Sequence, residues 1–451
     1  MNYVLETQHK SVPWRWVTLM ALFGQPHGCA FFVTGNLVFT IKKFIDNPAA
    51  ITALTSLDVV FNILFAATCL YISDRIWTRY GRRKIFMIPA YFGIAIAFML
   101  LPLATNIYTL IFAVVLWYIF IDVAATFQTL KMEMIPPHQR GRWSALHSWM
   151  FQIMIIVFFV FLGPRFDDVV ALGGFELTGE MFTYWFGSVM MIVGGIFLAF
   201  FIKENKPAEK APSFKGGFLG VYKSIFADSR LFPVYLLIFC WLMVGQGLDS
   251  VAPLLLTEQW GYTKQDMGTN FLAGGLINLI YIPILGLIAD KWDRMKLFAF
   301  SLVGTMILKI VYYIYVQFIL ADSRPEIIEI IAFGQGMSMF GWIIQVVFWP
   351  LVYDFIPREK MGTAQTGLSF VKTITRLILM NGVGVWITVY SFVFLPENTY
   401  DYFSAYIFLI ITDAVGVAII LNFIWQVKKG KLKPVGKENF QPVEDQKGAN
   451  A

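Results

Sequence analysis

Charge is scarce in this chain: Lys, Arg, Asp and Glu together make up 14% of its 451 residues, against about 25% in soluble domains. Histidine, with four residues, and cysteine, with three, are scarcer still. Cys29, Cys69 and Cys240 stand singly inside apolar stretches, so they read as small packing residues and not as a disulfide framework or a metal cage. No GxxxxGK followed by Ser or Thr is present to cradle nucleotide phosphates, and neither HExxH nor GxSxG occurs. An ATP-driven pump and an intramembrane hydrolase are thereby set aside, and no cofactor or metal is expected. What is abundant is apolar surface: 58% of residues are hydrophobic and 44 are Phe, with a mean hydropathy of +0.65. A soluble globular enzyme is excluded. The net charge of +6 is read as topological, without a nucleic-acid partner.

The apolar residues fall into runs of about 20, the length of a helix crossing a bilayer core. Twelve spans are expected, at 14–40, 49–72, 85–104, 107–130, 144–163, 181–202, 231–257, 268–289, 297–320, 327–353, 364–391 and 401–427. The first is too long for a signal-peptide core and reads as a true span. With a cytoplasmic N-terminus, 27 of the 35 basic residues fall in inside segments and five in outside loops, which satisfies the positive-inside rule. Both termini are therefore expected in the cytoplasm, in the cell (inner) membrane.

The chain divides into a six-helix half at 1–202, a cytoplasmic linker at 203–230, a second six-helix half at 231–427 and a polar tail at 428–451. The halves look related. Met132-Glu133-Met134-Ile135-Pro136 and Tyr353-Asp354-Phe355-Ile356-Pro357 are 221 residues apart, and the same offset superposes Gly24-Gln25 on Gly245-Gln246. The loop after span 2 reads Ser73-Asp74-Arg75 with Gly81-Arg82-Arg83-Lys84, and the loop after span 8 carries Asp290-Lys291 with Asp293-Arg294.

At these residues the chain resembles the major facilitator superfamily, whose signature loop after span 2 has an Asp-Arg followed by Gly-Arg-Arg. The spacing from Asp74 to Arg83 is most similar to that of the glycoside–pentoside–hexuronide cation symporters and the related sucrose carriers. The resemblance implies an all-α polytopic fold of twelve transmembrane helices in two parallel six-helix repeats, with the substrate site between the halves. There is one departure. Where sodium-coupled members carry two acidic residues four apart in span 2, the second followed by Pro, this chain has Asn62, Ala66 and Ala67. A proton is therefore the expected co-substrate rather than sodium.

Charge near the centre of a span costs at least about 2.5–3.5 kcal/mol, so the buried ionisable residues carry the functional expectation. His27 sits in span 1 within Gly24-Gln25-Pro26-His27-Gly28, where Pro and two Gly weaken the helix. Asp58 in span 2 and Asp122 in span 4 lack a basic neighbour in their own spans. Each is either protonated, as a proton carrier requires, or paired across helices. Asp249 occupies the span-7 counterpart of the His27 turn, again beside two Gly. These four are the proton-coupling candidates. Gln25, His27, Asp122, Gln246, Asp249, Trp342, Lys372 and Arg376 are the substrate-contact candidates, with Trp117, Trp241 and Trp349 as further aromatics for a sugar face. Lys309 and Asp413 lie at matching depth in spans 9 and 12 and read as one structural ion pair. Asp74, Arg75, Gly81, Arg82, Arg83, Asp290, Lys291 and Arg294 are expected to act as gating loops at the cytoplasmic end.

The resulting expectation is a monomeric secondary active transporter that moves a sugar or glycoside by alternating access with protons. The alternatives are an organic-anion transporter of the same fold, suggested by Lys372 and Arg376, and a non-transporting sensor, suggested by the missing acidic pair in span 2.

Overall fold

The computed structural model describes residues 13–432 apart from 74–75, 125, 128–129, 131–145, 148–149, 152, 155, 157, 173–174, 203, 205–230, 246–247, 249–250, 322, 357–360 and 397–398. Seven of the described helices are long and apolar enough to cross a membrane. They form because uninterrupted apolar sequence in lipid leaves a helix as the way to satisfy every backbone group internally. The chain splits into two compact units, residues 1–212 with 250–279, and residues 213–249 with 280–451.

In the first unit, α1 (Trp14–Gly35) is followed by the short helices α2 (Leu37–Lys42), α3 (Pro48–Thr55), α4 (Leu57–Phe61) and α5 (Ala67–Ser73). The long helices α6 (Lys84–Leu100), α7 (Ile107–Ala124) and α8 (Gly179–Phe201) complete its helical frame. Glycines on α8 set its approach to α1. A Cβ on Gly187 would lie 2.7 Å from Val33 Cγ2, and one on Gly194 would lie 2.9 Å from Pro26 Cβ. Both members of each pair step by seven residues in opposite directions, so the helices run antiparallel with their backbones in close contact. Pro26 and its flanking glycines were expected to weaken span 1, yet α1 is continuous across them. The packed Gly194 face supports that turn from outside.

Span 2 departs further from the simple expectation. It is built from α3, α4, a π-helical turn at Asn62–Ala66, and α5. Asn47 starts it, its side chain accepting from Ala49 N at 2.8 Å. The hydroxyls of Thr52, Thr55 and Ser56 each bond a carbonyl three residues back, a habit that bends helices, and α3 stops there. Tyr118 of α7 donates to the Thr55 carbonyl at 3.1 Å.

The loop before α8 holds an antiparallel hairpin, β1 (Val169–Leu172) with β2 (Phe175–Thr178), in register Val169 with Thr178. Close by, Lys264 bonds Asp167 at 2.5 Å and lies 4.5 and 4.4 Å from the rings of Phe39 and Phe166. Lys42 reaches Glu258 at 3.4 Å. These contacts tie residues 250–279 into the first unit.

The second unit contains α9 (Phe232–Gly245), the end of α10 (Lys264–Lys291), α11 (Arg294–Ile314), α12 (Ile327–Tyr353), α13 (Met361–Phe394) and α14 (Ala405–Lys428). Its core is aromatic and aliphatic: Phe348 packs 5.9 Å from Phe298 and 4.5 Å from Trp241, and Phe355 packs 5.2 Å from Phe423. Span 7 is interrupted. α9 ends at Gly245, and one helical turn resumes at Ala252–Leu254.

Candidate functional site

Asp122 lies near the end of α7 and is 6% exposed. Its Oδ1 accepts a hydrogen bond from Asn62 Nδ2 at 2.7 Å. Asn62 opens the π-helical turn of span 2, and single π turns recur at functional sites because they re-aim a side chain. The position that lacks a carboxylate relative to sodium-coupled carriers thus supplies the amide partner of the buried carboxyl. Asp58, four residues earlier, is half-buried on α4.

Gln25 on α1 is buried, and its Nε2 donates to Ala21 O at 2.9 Å and lies 3.3 Å from His147 Nδ1. Its Oε1 is buried with no hydrogen-bond partner among the described residues. His147 stands against α1 so closely that a Cβ at Gly24 would fall on its ring. The sequence reading did not single out His147, because it sits in the first turn of span 5, where a histidine costs little.

Among the other candidates, His27 belongs to α1, while its side chain lies outside the described residues, as do Gln246, Asp249, Asp74 and Arg75 entirely. Trp342 is half-buried on α12. On α13 Lys372 is exposed and Arg376, one turn on, is half-buried. Trp117 is buried against Phe98 at 6.0 Å and Tyr118 at 4.4 Å, and with Trp241 it belongs to packed cores. The side chain of Trp349 lies outside the described residues. Cys29, Cys69 and Cys240 are free and buried.

Lys309 of α11 and Asp413 of α14 meet in the second unit. Lys309 Nζ is 3.0 Å from Oδ1 and 2.9 Å from Oδ2, and it donates to Val244 O at 2.8 Å. Val244 is one residue from the end of α9, so the ammonium also serves the carbonyl end of the broken helix, where a cation is favoured.

The loop between α5 and α6 is organised by reciprocal capping. A tight turn from Thr78 to Gly81 is closed by Gly81 N on Thr78 O at 3.1 Å. Gly81 has φ +110°, a backbone region that strains any residue with a Cβ. Glu204, just past α8, then accepts from the backbone N–H groups of Arg82 at 2.9 Å, Arg83 at 3.0 Å and Lys84 at 2.7 Å. In the other direction Lys84 Nζ bonds the carbonyls of Ala199 at 2.9 Å and Ile202 at 2.7 Å, at the end of α8. Arg83, 2% exposed, turns inward to Ser73 Oγ. Each helix end thus carries the charge its dipole favours. Glu204 was placed in the linker by sequence, with no signal marking it as a cap. Replacing Glu204 with Ala is expected to cost about 1–2 kcal/mol, seen as a lower thermal unfolding midpoint of the purified protein. An unchanged midpoint would remove the cap from the account.

The corresponding loop of the second half is simpler. Arg294 Nη1 is 3.7 Å from Asp354 Oδ1, and Asp293 caps α11 through Lys296 N at 3.0 Å. Asp290 and Lys291 close α10, with their side chains outside the described residues.

Apolar helices of spanning length, a buried carboxyl held by an amide and a charged inter-helix loop define a polytopic membrane transporter rather than an enzyme. The sequence profile of the Major Facilitator Superfamily matches residues 27–380, and the chain belongs to that family. No curated protein sequence matches it. Among solved structures it is similar to a bacterial homologue of the human lysosomal transporter Spinster in an inward-facing, occupied conformation. That match has 11% identity and a TM-score of 0.66, and it covers 92% of this chain and 97% of the other. The unoccupied inward-facing form of a Spinster homologue matches at 14% identity and TM-score 0.62, covering 92% and 96%. A bacterial metal transporter matches at 11% identity and TM-score 0.61, covering 92% and 99%. At these identities the likeness is one of fold.

Proposed function

We propose that the chain is a proton-coupled symporter for a sugar or glycoside, of the kind its span-2 loop resembles, with Asp122 as the proton-carrying group. The observation that carries this reading is the partner of Asp122. Asp413 faces an ammonium that favours a permanent carboxylate, whereas Asn62 offers Asp122 a neutral N–H donor. A neutral donor bonds a carboxyl oxygen in either protonation state, which a group that must gain and lose a proton in each cycle requires. Gln25 and His147, paired on α1 and span 5, supply hydrogen-bonding groups suited to hydroxyls. His27, Asp58, Gln246, Asp249, Trp342, Lys372 and Arg376 complete the proposed path.

The two six-helix halves at 1–202 and 231–427 are proposed to alternate access about this path, in a monomer with both termini in the cytoplasm. Arg82, Arg83 and the Arg294–Asp354 pair belong to its inner gates.

The test is direct. Cells expressing the protein are suspended in weakly buffered medium, and external pH is followed as sugars, glycosides, organic anions and divalent cations are added singly. One sugar or glycoside is expected to alkalinise the medium, with no response in empty-vector cells. A substrate whose uptake is indifferent to collapse of the proton gradient would overturn the coupling. A response confined to organic anions or metal ions would overturn the substrate class.

A further inference from the structure

The second unit has a cavity of about 810 Å³ at the end where α11 begins and α12 and α14 finish. Arg294, Lys296 and Lys428 line it, over an apolar floor that includes Leu351, Leu421 and Ile424. Two carboxylates also line it, and both are engaged: Asp293 caps Lys296 N at 3.0 Å, and Asp354 stands 3.7 Å from Arg294. Lys429 and Lys431 add positive charge at the same end of α14, with Nζ 4.1 and 5.5 Å from the Trp425 ring centroid.

A second cavity of about 170 Å³ has Trp292 in its wall, as the first does. Apart from the Tyr281 hydroxyl and the Trp292 ring N–H, its wall is hydrocarbon and aromatic carbon, from Leu285, Leu297, Phe300, Ile343 and their neighbours. Phe300 is 58% exposed, Leu421 52% and Trp292 64%. In a membrane transporter, apolar side chains this exposed face acyl chains, and Trp at helix ends marks the headgroup level.

These features select a ligand chemistry. A free inorganic anion would use the basic bowl and leave the apolar slot idle, and a hydrocarbon would do the reverse. An amphiphile with an anionic head and an acyl tail uses both. Basic pockets between spanning helices at the cytoplasmic surface suit such headgroups. We propose that this two-part site holds an anionic phospholipid from the surrounding leaflet, with its phosphate against Arg294, Lys296 and Lys428 and one acyl chain in the slot beside Trp292. The site is separate from the proposed substrate path and depends only on the chain spanning a membrane.

The experiment uses the full-length protein, delipidated in detergent and titrated with phosphatidylglycerol or phosphatidylcholine of identical acyl chains, with bound lipid counted by native mass spectrometry. Phosphatidylglycerol is expected to bind at least about tenfold more tightly, and each cation replaced by Gln in R294Q, K296Q and K428Q should cost about fivefold. The charge-keeping variant R294K/K296R/K428R should retain the preference, which separates loss of charge from loss of fold. Val346→Trp, which fills the slot, should weaken phosphatidylglycerol without touching a cation.

Equal binding of the two lipids by the unmodified protein would overturn the proposal, as would an unchanged preference in the triple Gln variant. Deacylated glycerophosphoglycerol is the third arm. Competition by it at the concentration at which the lipid acts would assign the bowl to a soluble phosphate and overturn the lipid reading.

Discussion

Asp122→Asn is expected to reduce uphill accumulation of the substrate to equilibration, while leaving downhill exchange in place. One elementary charge moved through 100 mV is worth about 2.3 kcal/mol, which sustains a concentration ratio of about 50. A carrier that cannot take up the proton has no access to that energy, so its ratio falls to about one. The substitution is chosen to spare the fold. Asn keeps an oxygen where Asp122 Oδ1 accepts from Asn62 at 2.7 Å, so the buried contact to the π turn survives and only the titrating function is lost. Asn62→Leu makes the complementary change. It keeps the carboxyl but removes its donor, at about 1–3 kcal/mol for a buried acceptor left short of a partner, so it should lower the unfolding midpoint as well as transport. Counterflow of labelled substrate, which needs no net proton movement, checks the distinction. Retained accumulation in Asp122→Asn would take the proton-carrying role away from this residue.

The two ends of the Asp122 contact were not equally legible. An acid in the middle of a run such as Ile121-Asp122-Val123-Ala124 stands out, because lipid makes every charge costly. Asn62 read only as the absence of a cation-binding carboxylate. A neutral amide costs less to bury and so gives no sequence signal, and nothing in the run Asn62-Ile63-Leu64-Phe65-Ala66 announces the π turn that aims it. The same reasoning covers Lys309 and Asp413. Two isolated charges at matching depth in different spans have to meet, and they do. His147 and Glu204 sit near helix ends, where polar residues are common, and only the folded contacts to Gln25 and to the start of α6 set them apart. Helix existence was legible throughout the long apolar runs. Helix interruption was legible at Gly245, but not at Ser56, where clustered hydroxyls end α3, nor at Pro26, where packing keeps α1 whole.

Lys309→Met is expected to be the most destabilising single change in the second unit, because it removes the partner of a carboxylate that has no solvent exposure. Breaking a buried pair from one side costs about 3–5 kcal/mol, as the remaining charge stays desolvated. Here the loss is compounded, since the same ammonium bonds Val244 O at 2.8 Å near the end of α9. The double variant Lys309→Met with Asp413→Leu removes both charges and should recover most of the stability, since a buried ion pair and a packed apolar pair are often close in energy. Full recovery is not expected. The Val244 carbonyl still lacks its donor, a deficit of about 1–3 kcal/mol that falls on the interrupted helix itself. The monodisperse fraction of purified protein after a heating series orders the three proteins: unmodified above double variant above Lys309→Met. If the single and double variants coincide, the cost lies in the lost carbonyl bond and not in the stranded carboxylate. If the double variant matches the unmodified protein, the ammonium acts only as a counter-ion, and the end of α9 is held by the packing of its own apolar face.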